Sequence, residues 1–216
     1  MKSTMRQLAV ALCAAAVGMT GMASCTTAST GEPRASDASV RGKAIYQQHC
    51  IGCHGQFGTG DAFKSIPALA GQRFEYLRRQ IEQFATDQRH DSEMQWAFKR
   101  VSMTSPESAA DVATYLSGLP MQRFAETNPH HRAQGERIYL DQCSACHGMD
   151  AHGNADGAIP SLRDQHDFYL VNRLRRFAFT SPGIAVSAHS LDDTAIVAVS
   201  AYLSSLHALD VKSESP

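Results

Sequence analysis

Two short stretches of the chain carry the same reactive side chains. QQHCIGCHGQ holds Cys50, Cys53 and His54, and LDQCSACHGM holds Cys143, Cys146 and His147. In each, two thiols lie about one helical turn apart and a histidine follows at once. Such a pair could do three kinds of chemistry. It could cycle as a dithiol and disulfide, hold zinc together with the second pair, or anchor a cofactor through both sulfurs.

The context separates the three. A thioredoxin-like pair sits near a βαβ pattern, and none is seen here. A zinc site needs no histidine at the same place after both pairs. CxxCH does match the attachment site of c-type haem. Two thiols on one turn reach the two haem vinyl groups, and the next side chain reaches the iron from the same side. The motifs therefore predict two covalently attached haem c groups. Cys50, Cys53, Cys143 and Cys146 would form the thioethers, with His54 and His147 as axial ligands.

Positioning these turns takes a scaffold, and the scaffold repeats. GKAIYQQHCIGCHG, residues 42–55, matches GERIYLDQCSACHG, residues 135–148, at an offset of 93. At that offset Gly60, Pro67, Gln72, Tyr76 and Phe84 meet Gly153, Pro160, Gln165, Tyr169 and Phe177. Each copy reads as helical. Val40, Ala44 and Ile45 fall at helix spacing, and Phe74, Leu77, Ile81 and Phe84 form one helix face. Ser105-Pro106 reads as a helix start, with serine as cap and proline in the first turn. A matching helix starts at Asp192. No convincing strand is present, so the fold class is all-α, two similar domains in tandem. A domain of this size has a modest core of its own, which a large apolar cofactor would complete.

The remaining segments set the boundaries. Residues 1–24 begin with Lys2 and Arg6, continue through the apolar LAVALCAAAVG and end in small residues, as a secretory signal does. That apolar run is too short to span a bilayer comfortably. Met22-Ala23-Ser24-Cys25 resembles a bacterial lipobox with Met22 in place of the usual leucine. Cys25 is then a lipidation site; ordinary cleavage nearby is the alternative. Residues 25–37 read as a flexible tether. Domain 1 spans 38–120, a linker 121–132, domain 2 133–209 and a tail 210–216. The 20 basic and 21 acidic residues nearly cancel, which gives no reason to expect nucleic acid as a partner. Six cysteines leave no thiol over for a disulfide framework, once Cys13 is assigned to the signal and Cys25 to the lipid.

The pattern CxxCHG, then IPxL, GQ with YL, and a last helix with AxYL resembles class I cytochrome c domains. Two in tandem after a signal resemble the dihaem cytochrome c4 group, over residues 40–207. The resemblance implies a helical fold and a periplasmic electron shuttle, often serving a terminal oxidase. It also implies that the carbonyls of Pro67 and Pro160 accept a hydrogen bond from Nδ1 of His54 and His147, which orients each ring and raises its basicity. The plainer alternative is that both are turn prolines.

The resemblance further implies a sixth ligand, a methionine between the YL helix and the last helix. In the first repeat Met94 occupies that stretch, with Met103 the nearest competitor. In the second repeat the pattern breaks. Met149 is too close to His147 to reach the opposite haem face, and no methionine follows it. Phe84 and Phe177 are 93 residues apart, but Tyr115 and Tyr202 only 87, so six residues are missing there. Either register puts a serine opposite Met94, Ser181 or Ser187. Three outcomes are open: His189 binds the second iron, nothing does, or His130 or His131 reaches in from the linker. His152, His166 and His207 are expected at the surface. Arg78, Arg79, Arg173, Arg175 and Arg176 are expected on a solvated face, or else against haem propionates or an acidic partner.

The function expected is electron carriage between a redox protein donor and acceptor, a terminal oxidase or a dehydrogenase among them. The chain would be periplasmic, with a lipid anchor as an option. A haem enzyme or sensor with an open second iron is the rival class, and an electron-transfer subunit of a periplasmic dehydrogenase is a third.

Overall fold

The computed structural model describes residues 36–100, 105–121, 129–154, 156, 159–180 and 189–213, which fall in one compact unit, Ala35–Pro216. The described residues form helices and loops, with two isolated β-bridges and no strand. The order is α1 (Asp37–His49), α2 (Ile51–His54), α3 (Phe74–Ala85), α4 (Ser92–Arg100) and α5 (Pro106–Ser117). A 3-10 turn (Pro129–His131) leads into α6 (Arg132–Gln142), α7 (Ser144–His147), α8 (Asp167–Thr180) and α9 (Asp193–Ser213). None of the described helices is long and apolar enough to cross a membrane.

Each half is organised by one close helix crossing. A Cβ on Gly42 of α1 would lie 1.9 Å from the Asp111 carbonyl oxygen of α5. A Cβ on Gly135 of α6 would lie 1.9 Å from the Ala198 oxygen of α9. Only glycine lets the backbones approach so closely. One turn further on, Tyr46 meets Tyr115 at 5.6 Å between ring centres, and Tyr139 meets Tyr202 at 5.5 Å. The buried face of α1 is thus Gly42 and Tyr46, while Val40 is exposed. The apolar spacing predicted Val40 on the inner face; the glycine crossing rotates the helix away from it. Leu77 and Phe84 of α3 are buried as their spacing predicts. Ser105 caps α5 by accepting from the Ser108 N–H at 3.2 Å, and Asp192 accepts from the Ala195 N–H at 2.8 Å.

The two halves meet through a reciprocal set of hydrogen bonds. Gln72 donates to the Ser161 carbonyl and accepts from the Ser161 N–H, both at 2.8 Å. Gln165 donates to the Ala68 carbonyl at 3.0 Å and accepts from the Ala68 N–H at 2.9 Å. Next to them Arg73 donates to the His152 carbonyl at 2.6 Å, and His166 Nε2 lies 2.8 Å from the Thr59 carbonyl. At the offset of 93 Gln72 is the equivalent of Gln165, Ser161 of Ala68, Arg73 of His166 and His152 of Thr59, so the second bond of each set repeats the first and the contact is close to two-fold symmetric.

Candidate functional site

Both CxxCH stretches fold as a single helical turn that starts where a longer helix ends. Cys50 N–H donates to Tyr46 and His54 N–H to Cys50, at 2.8 and 3.0 Å; Cys143 and His147 repeat this at 2.9 and 3.0 Å. The turn stops at a glycine in the left-handed region, Gly55 or Gly148, with φ of 75° and 81°. One residue pair that sequence reasoning passed over secures it. The fully buried Tyr46 donates from its hydroxyl to the Gly55 carbonyl at 2.6 Å, and Tyr139 does the same to Gly148. Their identical place in both repeats was the available signal.

The loop after each motif brings a carbonyl back to the histidine. The bridges Asp61–Ile66 and Asn154–Ile159 close it. Gly60 and Gly153 allow the turn, each with positive φ and with the following Ile and Pro carbonyls packed where a Cβ would stand. Nδ1 of His54 lies 3.1 Å from the Pro67 oxygen, and Nδ1 of His147 lies 3.2 Å from that of Pro160. An imidazole that donates from Nδ1 presents a bare Nε2, the form a metal binds. Burial depresses the pKa of both rings; the proline carbonyls work against this, and His189 lowers His147 further. The two histidines are 5% and 9% exposed, whereas Cys53 and Cys146 are exposed. Each site is closed around its histidine and open at its second cysteine. Burial, then the neighbouring Cys53 or Cys146, pushes Cys50 and Cys143 up to about 11, so each is a protonated thiol at neutral pH.

The opposite side differs between the halves. Met94 stands in the first turn of α4, half-buried, its N–H 3.3 Å from Asp91 Oδ1. Met103, Ser181, Ser187 and Cys25 lie outside the described residues. Met121 packs on Gly71. His189 lies across from His147, with ring centres 6.4 Å apart and planes at 72°. Two imidazoles that each bond one metal at about 2.0–2.1 Å need ring centres about 6 Å apart, close to the spacing of this pair. His131 lies elsewhere, lining a hollow with Asp193, Thr194 and Val197, and His130 is exposed.

The charged residues only partly match expectation. Arg78 bridges Glu75 and Glu82, Arg175 pairs with Asp193, and Arg176 pairs with Asp91 of the other half. Arg173 is not on a solvated face: its Nε is shut off from water with no hydrogen-bond partner, as is that of Arg89. Burial, then the charge of Arg89, lowers the pKa of Arg173. Tyr76 and Tyr169 stand beside both guanidiniums. Two half-buried cations, each with its Nε closed off from water and unpaired, favour an anion nearby, and a haem would bring two carboxylates. The residues present therefore fit a haem in three respects: unbridged thiols, histidines held through Nδ1, and two guanidinium Nε atoms shielded from water without a partner. His166 is corrected as well. It is buried, because the contact between the halves covers a position that sequence alone left at the surface.

Comparison with known proteins agrees with this geometry. A family model described as Cytochrome c matches residues 39–120 and again 132–207. Cytochrome c4 of Thiocapsa roseopersicina is 31% identical over 192 residues, spanning 82% of this chain and 93% of that protein. The Cbb3-type cytochrome c oxidase subunit FixP of Bradyrhizobium diazoefficiens is 28% identical over 185 residues, 78% of this chain and 61% of that one. The crystal structure of reduced recombinant cytochrome c4 from Pseudomonas stutzeri superposes with a TM-score of 0.67 at 25% identity, covering 77% of this chain and 97% of that chain. With two class I domains, each built around a pinned CxxCH histidine, the chain belongs to the cytochrome c family and is cytochrome c4-like.

Proposed function

We propose that this is an exported dihaem electron carrier whose two irons have unlike sixth ligands. Cys50 and Cys53 hold one haem c, with His54 and Met94 as axial ligands. Cys143 and Cys146 hold the other, with His147 and His189. The haems supply reversible one-electron chemistry; the chain supplies ligands, burial and the distance between them. The observation that carries the unlike pair is the 6.4 Å spacing of His147 and His189 in the half that lost its methionine.

The ligand difference gives the molecule a direction. Methionine opposite histidine raises an iron's potential. The first site is then the stronger acceptor, and electrons run from the second site to the first. Exposed Cys53 and Cys146 mark the edge at which each site meets a partner. The donor docks on the second domain and the acceptor on the first. Similarity to an oxidase subunit supports a terminal oxidase as the acceptor class, with a dehydrogenase as a donor class. The N-terminal pattern supports export to the periplasm, with Cys25 as the lipid anchor.

The decisive experiment is electron paramagnetic resonance of the ferric holoprotein beside Met94→Ala and His189→Ala. Each variant should turn one haem high-spin and leave the other unchanged. Reduced wild type should bind no carbon monoxide rapidly. Rapid binding at one haem would instead support the open-iron enzyme or sensor.

A further inference from the structure

His189 does not stand alone over its site. Its ring lies flat on Phe177, with centres 4.8 Å apart and planes 17° from parallel. On the Phe177 ring sits the Arg173 guanidinium, 4.1 Å from the centroid. We propose that Phe177, backed by Arg173, is the positioning residue for the sixth ligand of the second haem, and that it holds His189 nearly perpendicular to His147. This rests on the reading of His189 as a ligand.

The two histidines are oriented by separate supports. The Pro160 carbonyl fixes His147 through Nδ1. His189 takes its plane from the aromatic face beneath it, since the ring torsion of a histidine is broad and needs a neighbour to set it. The 72° between the imidazoles is the joint product of a carbonyl on one side and a phenyl ring on the other.

The first repeat carries a similar platform without a histidine on it. Phe84, the equivalent of Phe177, has the Arg89 guanidinium 4.6 Å from its centroid. It also has an aromatic neighbour, Phe98, 5.8 Å away and 25° from parallel. Phe98 has no ring nitrogen and serves packing alone. In the second repeat the aromatic stacked on the equivalent phenylalanine is an imidazole, with its ring centre 6.4 Å from that of His147. A cation on a phenyl face and a planar ring against it are favourable with either partner, so the change needs only the histidine.

The consequence is spectroscopic. Perpendicular imidazoles leave two iron orbitals nearly degenerate, and the ferric haem shows a strongly anisotropic low-spin resonance; parallel imidazoles give an ordinary rhombic one. The holoprotein should show the first kind. Phe177→Leu and Phe177→Met remove the ring while keeping an apolar side chain. Either should move the second haem's signal toward the rhombic type, or split it, and should raise carbon monoxide binding at the reduced second haem at least several-fold. Phe177→Tyr, which restores a flat face, should bring the wild-type signal back. Phe84→Leu, the same loss in the other half, should leave the second haem's signal unchanged. If both ringless variants keep the wild-type signal while His189→Ala changes it, the positioning role is wrong and the ligand assignment stands. If His189→Ala changes nothing, the ligand assignment falls, and this proposal with it.

Discussion

A hydroxyl placed one turn before each attachment site decides how firmly that site is held. Tyr46 and Tyr139 are wholly buried, and each donates to the glycine carbonyl that ends a CxxCH turn. The same carbonyls also accept from the backbone, Gly55 from Gly58 at 3.3 Å and Gly148 from Ala151 at 3.2 Å. Removal of one hydroxyl therefore weakens the acceptor's environment without orphaning it. Tyr46→Phe and Tyr139→Phe should each cost about 1 kcal/mol, the net worth of one ordinary hydrogen bond. Denaturant titration of the holoproteins measures this, and a loss under a few tenths of a kcal/mol in both would remove the hydroxyls from the account. The two CxxCH turns were legible in the sequence because five fixed positions recur at one offset. The tyrosines were not, although both sit at the repeat offset, because a buried tyrosine reads as packing until its hydroxyl's partner is seen.

At the scale of elements, α4 is where the repeats diverge, and Asp91 is its hinge to the rest. This side chain takes the Met94 N–H at 3.3 Å at the start of α4 and also pairs with Arg176 on α8 of the other half. Burial works to raise the Asp91 pKa, but the Arg176 pairing and the Met94 N–H outweigh it, and the net shift is down. A carboxylate depressed on folding adds stability above its unfolded pKa of about 3.9, and that stability is lost as pH falls through the folded value. Asp91→Asn keeps the cap and loses the charge. The stability difference between wild type and Asp91→Asn should be present at neutral pH, at most about 1 kcal/mol for so exposed a pair, and vanish as pH falls through the depressed folded pKa of Asp91. The haem ligands also respond to acid, but they do so in both proteins and cancel. Asp91→Ala should lose the cap as well, roughly 1 kcal/mol more. A pH-independent difference between wild type and Asp91→Asn would show that the pair contributes nothing. Helix faces such as Leu77 and Phe84 were legible because helix period is a local signal. Val40 misled, because the glycine crossing that turns α1 is a property of two helices and not of one.

Across the whole molecule, the contact between halves was the least legible part. It has no period and no motif: Gln72, Arg73, Gln165 and His166 look like ordinary polar loop residues. Their roles follow only when each is found against the other's neighbour. Domains this small bury a limited fraction of their surface, so a shared interface contributes much of the holoprotein's cohesion. The interface is polar and buried, and it tolerates no slippage, since moving one half by a residue would break both glutamine pairs together. Gln72→Leu leaves the buried N–H and carbonyl of Ser161 without their partner, and Gln165→Leu does the same at Ala68. Each orphaned group costs about 1–3 kcal/mol if the interface stays shut. If the interface opens, water satisfies those groups and the penalty appears as lost coupling instead. Calorimetry distinguishes the two results. Wild-type holoprotein should unfold in one transition, each single variant in one transition at lower temperature, and the double variant in two. The same opening would expose the shielded Nε atoms of Arg89 and Arg173, which would favour a haem carboxylate if one were held there. Both haem potentials should then shift in the double variant, although no ligand has been touched. One transition at the wild-type temperature with unmoved potentials would mean that the glutamines merely accompany a contact held by something else.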